Sequence, residues 1–290
     1  MSDFVILTDS SADLGPDLIA QYDIRVLPLS FTIRGLTYQD FPDHRDMDPR
    51  VFYDMLRKEE NATTAAVNVA QYTQVLEPLL QAGKDVLILA FSSGLSMTYN
   101  ASSMAVEELR DKYPDRKLYT VDTLCASLGQ GLLVWLAARE REKGKSIEEV
   151  RDWVVSHKLN ICHQFTVDDL HFLKRGGRIS ATTAVVGSML QIKPVLHVDN
   201  DGHLVNIGKA RGRHNALKAL VDRMEQTAID PREQTVFISH GDCPEDAELV
   251  AQMVKDRFGV QNVYINYVGP VIGAHSGPGT LALFYVGVER

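Results

Sequence analysis

The sequence predicts an α/β protein with two domains, an N-terminal domain around a mainly parallel sheet and a smaller C-terminal α+β domain. The chain has 290 residues, of which 45% are apolar, so it can bury a substantial core, and chains of this length usually form two domains. Through the first two-thirds, short β-rich runs alternate with helical patterns, which is typical of βαβ units around a parallel sheet. The alternation changes near residue 160. We therefore expect domains at residues 1–160 and 161–290.

The N-terminal domain is predicted to alternate strands and helices. Apolar runs predict strands at residues 4–7, 25–33, 85–91 and 117–122. Apolar residues near helical period predict helices at 16–22, 49–58, 70–81, 97–113 and 127–143. A sixth helix, 147–157, is preceded by Ser146, whose hydroxyl can form a capping box with Glu149.

The C-terminal domain is predicted to begin with strands at 161–167 and 194–198. The turn sequence Asn200-Asp201-Gly202 follows the second of these and predicts a β-hairpin with the apolar run that comes next. A helix at 215–227, a strand at 234–239, a helix at 245–258 and strands at 263–268 and 281–288 complete the domain.

Charge and composition exclude several classes of protein. Lys and Arg number 30 against 38 Asp and Glu, and the net charge of −8 argues against a nucleic-acid binder that neutralises phosphates. No apolar run approaches the roughly 20 residues of a membrane span, so we expect no stable membrane insertion. Cys125, Cys162 and Cys243 have no metal-binding or disulfide spacing, which favours the reducing cytoplasm.

Ligands of open α/β sheets bind beyond the carboxyl ends of the strands, so the loops there are candidate sites. The most informative loop, residues 92–96, contains Ser92, Ser93, Gly94 and Ser96 between a buried-looking strand and a long helix. Free backbone N–H groups and hydroxyls at such a loop predict an anion site without a lysine. The alternative is that these serines are only turn and N-cap residues.

Catalytic and cofactor sites are less well supported. Ser93 with His275 as its base could form a serine hydrolase, but the first glycine of a GxSxG elbow is absent. Phosphate transfer would need a Walker loop, a kinase glycine loop or a magnesium-binding carboxylate cluster, and the sequence has none. The nine histidines lack metal-ligand spacing. We therefore expect no metal, no cofactor and no catalytic residue.

Six segments, in order along nearly the whole chain, resemble the DegV family, whose characterised members are fatty-acid-binding subunits of bacterial fatty acid kinase. The segments are residues 8–14, 92–99, 173–180, 193–196, 210–213 and 269–279. The resemblance implies one long-chain fatty acid between the two domains, with its tail in an apolar tunnel. It also implies that a separate kinase subunit, of the dihydroxyacetone-kinase type, phosphorylates the bound carboxylate.

The resemblance places the carboxylate site at three residues, Thr64, Ser93 and His275. This sequence departs from the family pattern after the threonine, where Ser-Gln-Pro is replaced by residues 65–67, Ala-Ala-Val. Because Thr63 precedes Thr64 directly, the threonine of the family pattern corresponds to either Thr63 or Thr64. Met97 stands where the family commonly has a glycine.

Two basic segments of the C-terminal domain are predicted to dock the kinase rather than to contact the ligand. They contain Arg178 and Arg211 as the first candidates and Arg175 and Arg213 as the next. Each segment includes glycine, which predicts exposed turns. Solvated surface charge is the alternative for these arginines. For the whole protein, the alternatives are a serine hydrolase acting on acyl esters and a lipid sensor that works without a kinase.

Overall fold

The computed structural model describes residues 4–179 and 191–290. In chain order the strands are β1 Phe4–Asp9, β2 Ile24–Leu27, β3 Ser30–Ile33, β4 Leu36–Gln39, β5 Ala62–Ala65, β6 Asp85–Ala90, β7 Leu118–Asp122, β8 Ile161–Thr166, β9 Ile192–Val198, β10 Leu204–Arg211, β11 Thr235–His240, β12 Asn262–Tyr267 and β13 Leu281–Val286. The helices are α1 Pro16–Gln21, α2 Pro49–Arg57, α3 Val69–Gln81, α4 Thr98–Lys112, α5 Ser127–Glu142, α6 Ile147–His157, α7 Leu170–Arg175, α8 Arg213–Thr227, α9 Pro244–Phe258 and α10 Pro270–Ser276.

The N-terminal half is built on a four-stranded parallel sheet of order β2-β1-β6-β7. Strand β6 is central and almost wholly buried, with Val86 to Ala90 all inaccessible to solvent. Parallel sheets need helices on both faces, which explains the alternating pattern of the sequence. The predicted α/β class with a parallel-sheet domain is confirmed.

The C-terminal half contains a six-stranded mixed sheet of order β10-β9-β8-β13-β11-β12. Only β11 and β12 run parallel to each other, and the remaining pairs are antiparallel. The predicted hairpin is present, because Val198 of β9 pairs with Leu204 of β10 and the turn contains Gly202 at φ 78°. This sheet begins at Ile161, next to the predicted domain boundary, which itself stays a prediction.

A three-stranded antiparallel sheet of order β4-β3-β5 was not predicted. The prediction of one strand over residues 25–33 is wrong, since the run divides into β2 and β3, which belong to different sheets. The break lies at Pro28-Leu29, where proline has no N–H to donate to a ladder. The next turn, Arg34-Gly35, has positive φ at both residues and joins β3 to β4 as a tight hairpin.

Helix α5 lies between the two large sheets and joins them into one core. It packs against β1 on one side and against β8, β11 and β13 on the other, and Leu132, Leu133 and Val134 are at most 1% exposed. Helix α6 follows it and begins with the predicted capping box, in which the Ser146 hydroxyl and the Glu149 side chain each bond to the other residue's backbone. Within the described residues, none of the helices combines the length and apolar character needed to cross a membrane.

The short helix α10 is held in place by buried carboxyl groups from the N-terminal half. Asp13 Oδ1 accepts a hydrogen bond from the Gly269 N–H at 3.0 Å, and Asp40 Oδ2 accepts one from the Val271 N–H at 3.4 Å. The first turn of a helix leaves N–H groups without intrahelical partners, so these carboxyls satisfy them. The start of α10 is thereby fixed to the N-terminal half, and with it the position of His275.

Candidate functional site

A cavity of about 200 Å³ lies between the two halves of the molecule. Leu29, Phe91 and Ala126 line it from the loops that follow the parallel strands β2, β6 and β7. Phe165 and Phe284 line it from the six-stranded sheet. The site therefore lies beyond the carboxyl ends of the parallel strands, and its wall is mainly apolar.

Thr64 and His275, both predicted site residues, meet at one end of this cavity. Thr64 Oγ1 lies 2.7 Å from His275 Nε2, a hydrogen bond between residues 211 positions apart in the sequence. Thr64 pairs with Phe31 of β3, and both Thr64 and His275 line the cavity. Thr63 is exposed on the opposite face of β5, so the threonine in the cavity wall is Thr64.

His275 lies in a positively charged surrounding. Burial, followed by the guanidinium groups of Arg178 and Arg175, lowers the pKa of His275 to about 4, so the ring is neutral near pH 7. Its Nδ1 is buried and has no hydrogen-bond partner among the described residues. Because cations make its protonation unfavourable, a negative charge placed at this end would be stabilised and would raise the pKa of His275.

Arg178 is half-buried and lines the same cavity. Its Nε donates to the Leu95 carbonyl at 3.2 Å, and its Nη1 donates to the Gly176 carbonyl. This position differs from the exposed turn predicted for Arg178, because the side chain folds back across the cavity wall to reach the loop before α4. The sequence could not show this, since the contact joins segments 83 residues apart. We call Thr64, Arg178 and His275 the cationic end of the cavity.

Gly176, which caps α7, makes room for His275. A Cβ at this position would lie 2.2 Å from His275 Nδ1, while the backbone φ of −72° is ordinary for alanine. We expect Gly176→Ala to push the imidazole off Thr64 and toward solvent, so that the pKa of His275 rises toward its usual value near 6.5. Histidine titration by NMR measures this shift. Gly208→Ala is the control, because a Cβ there meets only Val195 at 3.7 Å. An unchanged His275 titration in Gly176→Ala would contradict the assigned contact.

The serine loop before α4 differs from the predicted anion site. Its N–H groups already have partners: Ser93 N donates to Asp122 Oδ1 at 3.2 Å, and Gly94 N donates to Ser92 Oγ at 3.2 Å. The N–H groups of Leu95 and Ser96 both donate to the Ser92 carbonyl. The Ser92 hydroxyl in turn donates to the Gly202 carbonyl at 2.9 Å, so it fixes the loop to the β9–β10 hairpin.

The loop places Ser93 and Ser96 differently. Ser93 is exposed and is not part of the cavity wall, whereas Ser96 lines the cavity and its hydroxyl accepts from the Thr98 N–H at 3.2 Å. Ser93 as a carboxylate contact therefore stays a prediction. The residues that depart from the family pattern are also found here: Ala66 lines the cavity, and Met97 lines its rim while 66% exposed.

The remaining predicted docking arginines have different surroundings. Arg175 is exposed and donates to Asn61 Oδ1 at 2.6 Å. Arg211 is exposed at the end of β10. Arg213 is partly buried and is engaged by Asp246 at 2.8 Å and by Asp168 at 3.6 Å. Arg175 and Arg211 are thus exposed, whereas Arg213 is held in ion pairs, and partner docking at these arginines stays a prediction.

The geometry gives a hydrolase or a metal site little support. His275 Nε2 is bonded to Thr64, and Ser93 lies at the exposed surface. The second histidine of the cavity wall, His163, accepts from the Ala126 N–H at 3.2 Å through Nε2 and contacts the Ile161 carbonyl at 2.9 Å through Nδ1. Among residues 4–179 and 191–290, no group of three or more histidine, cysteine, aspartate or glutamate side chains is arranged to hold a metal ion.

Comparisons with known proteins agree on one family. The family model described as "Uncharacterised protein, DegV family" matches residues 3–288. A DegV domain-containing protein of Clostridium perfringens is 47% identical over 287 residues, which are 99% of this chain and 98% of the relative.

Two solved structures share the fold over nearly their whole length. A fatty-acid-binding DegV family protein from Thermus thermophilus has a TM-score of 0.87 at 28% identity and covers 99% of this chain and 100% of its own. DegV from Bacillus subtilis, a fatty acid binding protein, has a TM-score of 0.84 at 27% identity with the same coverage. From the family model and the 47% identical relative, we conclude that this chain belongs to the DegV family.

Proposed function

We propose that this protein binds one long-chain fatty acid in the cavity and acts as a carrier without catalytic machinery of its own. The observation that carries the proposal is the mainly apolar cavity whose wall contains the Thr64–His275 pair and Arg178. The similar DegV proteins of Thermus thermophilus and Bacillus subtilis bind fatty acids, which supports the same ligand class here.

The cationic end suits a carboxylate. An ionised carboxylate taken from water needs hydrogen bonds and an opposite charge, and Arg178 supplies the charge. When Nε2 of His275 carries the proton, the imidazole donates to Thr64 and leaves the threonine hydroxyl free to donate to a carboxylate oxygen. The neutral state of His275 keeps this arrangement available near pH 7.

The apolar wall suits the tail. Burial contributes roughly 0.8 kcal/mol per CH₂, so fourteen methylenes contribute about 11 kcal/mol before association costs are subtracted. Contacts at the cationic end therefore select the carboxylate, while tail burial supplies most of the affinity.

Binding is tested on delipidated protein by native mass spectrometry with palmitic acid, and with hexadecanol as the matched ligand that lacks the carboxylate. We expect a one-to-one palmitate complex and much weaker binding of the alcohol. A protein that takes up no palmitate would overturn the proposed function, and equal binding of both ligands would overturn the assignment of the cationic end.

Thr64→Val is expected to weaken palmitate binding about tenfold to a hundredfold. The substitution keeps the shape of the side chain and removes one charge-assisted hydrogen bond, worth roughly 1.5–3 kcal/mol. Displacement of a fluorescent fatty acid measures the change, and Thr63→Val on the exposed face of β5 is the matched control. Wild-type palmitate affinity in Thr64→Val would mean that the Thr64 hydroxyl does not bond to the carboxylate. Ser93→Ala tests the predicted loop serine in the same assay, because a comparable loss requires that Ser93 reaches the ligand.

We further propose that a separate kinase subunit of the dihydroxyacetone-kinase type phosphorylates the bound carboxylate. The family resemblance supports this partner, and exposed Arg175 and Arg211 in the C-terminal half are suited to dock it. Charged residues at the rim of a protein–protein interface mainly raise the association rate, and salt weakens this effect.

Arg175→Glu with Arg211→Glu is therefore expected to slow partner-dependent acyl phosphate formation severalfold, and most strongly at low ionic strength. Palmitate affinity should change much less than this rate; a small loss is expected from Arg175→Glu, because the Arg175 guanidinium contributes to the positive charge around His275. The rate of acyl phosphate formation with a cognate kinase measures the effect, and exposed Arg25→Glu in β2 is the control. A wild-type rate of acyl phosphate formation in the double variant would exclude Arg175 and Arg211 as the docking surface. Absence of phosphorylation in the wild type would favour a lipid sensor that works without a kinase.

A further inference from the structure

The register of β8 and β13 gives the cavity a direction. Strand β8 leads into α7, which packs against α10, and β13 follows α10 in the chain. The carboxyl end of β8 and the amino end of β13 therefore face the cationic end. In β13, Ala282 lines the cavity nearer to that end and Phe284 lines it farther away. In β8, Phe165 is nearer and His163 is farther away.

The cavity wall ends at the more distant pair on these two strands. His163 and Phe284 are paired in register, line the cavity, and are 1% and 2% exposed. Their rings meet edge to face, with the centroids 5.3 Å apart. The next pair on the same face, Ile161 and Val286, is not part of the wall. We call His163 and Phe284 the floor of the cavity.

The imidazole of His163 is held in a fixed position. Nε2 accepts from the Ala126 N–H at 3.2 Å, so Nδ1 carries the proton and donates to the Ile161 carbonyl at 2.9 Å. On the side of α5, a Cβ at Gly129 would lie 2.2 Å from Nε2. The ring therefore lies directly against the backbone of α5, and it cannot recede when a ligand presses on it.

The floor offers no hydrogen bond to a ligand. Both nitrogens of His163 are already bonded within the protein, and the side chain of Phe284 has no polar atom. A polar group at the far end of a ligand would lose its bonds to water there without replacement. The floor therefore suits a terminal methyl group.

We propose that the floor sets the maximum length of the acyl chain that this cavity accepts, and that Gly129 determines the position of the floor through His163. The proposal rests on the proposed function, since it takes the carboxylate to lie at the cationic end and the tail to run along β8 and β13. Each methylene that finds room adds about fourfold to the affinity, or roughly 0.8 kcal/mol. A chain that reaches beyond the floor gains no further burial and displaces its carboxylate, so affinity falls beyond one length.

The test is a competition among myristic, palmitic, stearic and arachidic acids for delipidated protein, with the bound acids measured by native mass spectrometry. All four acids compete for the same protein molecules, so their ratio does not depend on the fraction of the protein that is folded. We expect the wild type to prefer one length and to bind the next longer acid less well.

Two substitutions are expected to change this preference in opposite directions. Phe284→Val opens space at the floor, and two further methylenes there would add about fifteenfold. We expect the ratio of the next longer acid to the preferred acid to rise about tenfold. Gly129→Ala pushes the imidazole of His163 into the cavity, so the ratio of the next shorter acid to the preferred acid should rise by a similar factor. A general loss of stability would not give opposite changes.

Leu283→Ala is the control for lost core packing. Leu283 is 0% exposed and lies on the opposite face of β13, where it does not line the cavity. Its truncation costs stability without opening the floor, so the length preference should stay that of the wild type. Thermal melting of each variant confirms folding. Phe284→Leu is the milder second variant of the floor, with an expected change of about fourfold.

An unchanged length preference in folded Phe284→Val and Phe284→Leu would overturn the inference while leaving the proposed function intact. A change toward longer acids in Gly129→Ala would also overturn it, because the added Cβ can only reduce the space at the floor. Failure of the wild type to bind any of these acids would overturn both the inference and the proposed function.

Discussion

Ala282→Phe is expected to lower palmitate affinity by about a thousandfold while the protein remains folded. Ala282 lines the cavity from β13, opposite Phe165 of β8 and Ser239 of β11, so a phenyl ring there would fill the space that the tail needs. Excluding five methylenes removes about 4 kcal/mol of burial at roughly 0.8 kcal/mol each. Displacement of a fluorescent fatty acid gives the affinity, and thermal melting reports the fold.

Ala282→Ser is the control for this variant, because it changes the same position and adds one oxygen instead of a ring. It is expected to retain most of the affinity. Since cores tolerate added volume poorly, Ala282→Phe can cost roughly 1–3 kcal/mol of stability where the ring meets the wall. Palmitate binding that is undiminished in folded Ala282→Phe would mean that the tail does not pass β13.

The sequence predicted those parts of the fold whose signals are local. The hairpin turn at residues 200–202 and the capping box before α6 were found because each depends on a few adjacent residues. Helix α10 was missed, although Pro270 after Gly269 is a typical first helical residue. Strands β4 and β5 were missed because each has only four residues and is stabilised by pairing with β3.

The candidate site shows the same division. The family resemblance named Thr64 and His275, and the structure brings their side chains into contact. Arg178 was placed on an exposed turn because two glycines precede it, yet its guanidinium bonds to the Leu95 carbonyl in the cavity wall. The buried hydroxyl side chains of the cavity wall were not predicted, because they come from distant segments that meet only when the protein folds: Ser127 of α5, Ser239 of β11, Ser276 of α10 and Thr280 before β13.

Three buried carboxyl groups, of which Asp13 and Asp40 anchor α10, give the protein a distinctive pH dependence. Burial raises the pKa of Asp9 to about 6 and that of Asp40 to about 7, and Asp13 is raised for the same reason. In each case the protonated form is favoured in the folded state. These groups therefore contribute stability that is complete below pH about 4 and is lost as pH rises to about 7. Neutral buried histidines such as His163 act in the opposite direction, because the lowered pKa of His163 costs stability as pH falls below about 6.5.

The variant Asp40→Asn separates the effect of Asp40 ionisation on stability from the opposite effect of the buried histidines. A tenfold change in proton affinity is worth about 1.4 kcal/mol, and the pKa of Asp40 is raised from 3.8 to about 7. Removing the ionisation of Asp40 is therefore expected to raise the free energy of unfolding by on the order of 4 kcal/mol at pH about 8 and by almost nothing at pH about 4. The asparagine oxygen can still accept from the Val271 N–H. We therefore expect the stability of Asp40→Asn relative to wild type to rise steadily as the pH is raised from about 4 to about 8, measured by chemical unfolding.

Asp43→Asn is the control, because Asp43 is exposed and paired with Arg45, which lowers the pKa of Asp43. The stability of Asp43→Asn relative to wild type should not rise with pH. A flat difference for Asp40→Asn would mean that Asp40 is ionised in the folded protein at little cost, and that α10 is anchored by a charged rather than by a neutral carboxyl group.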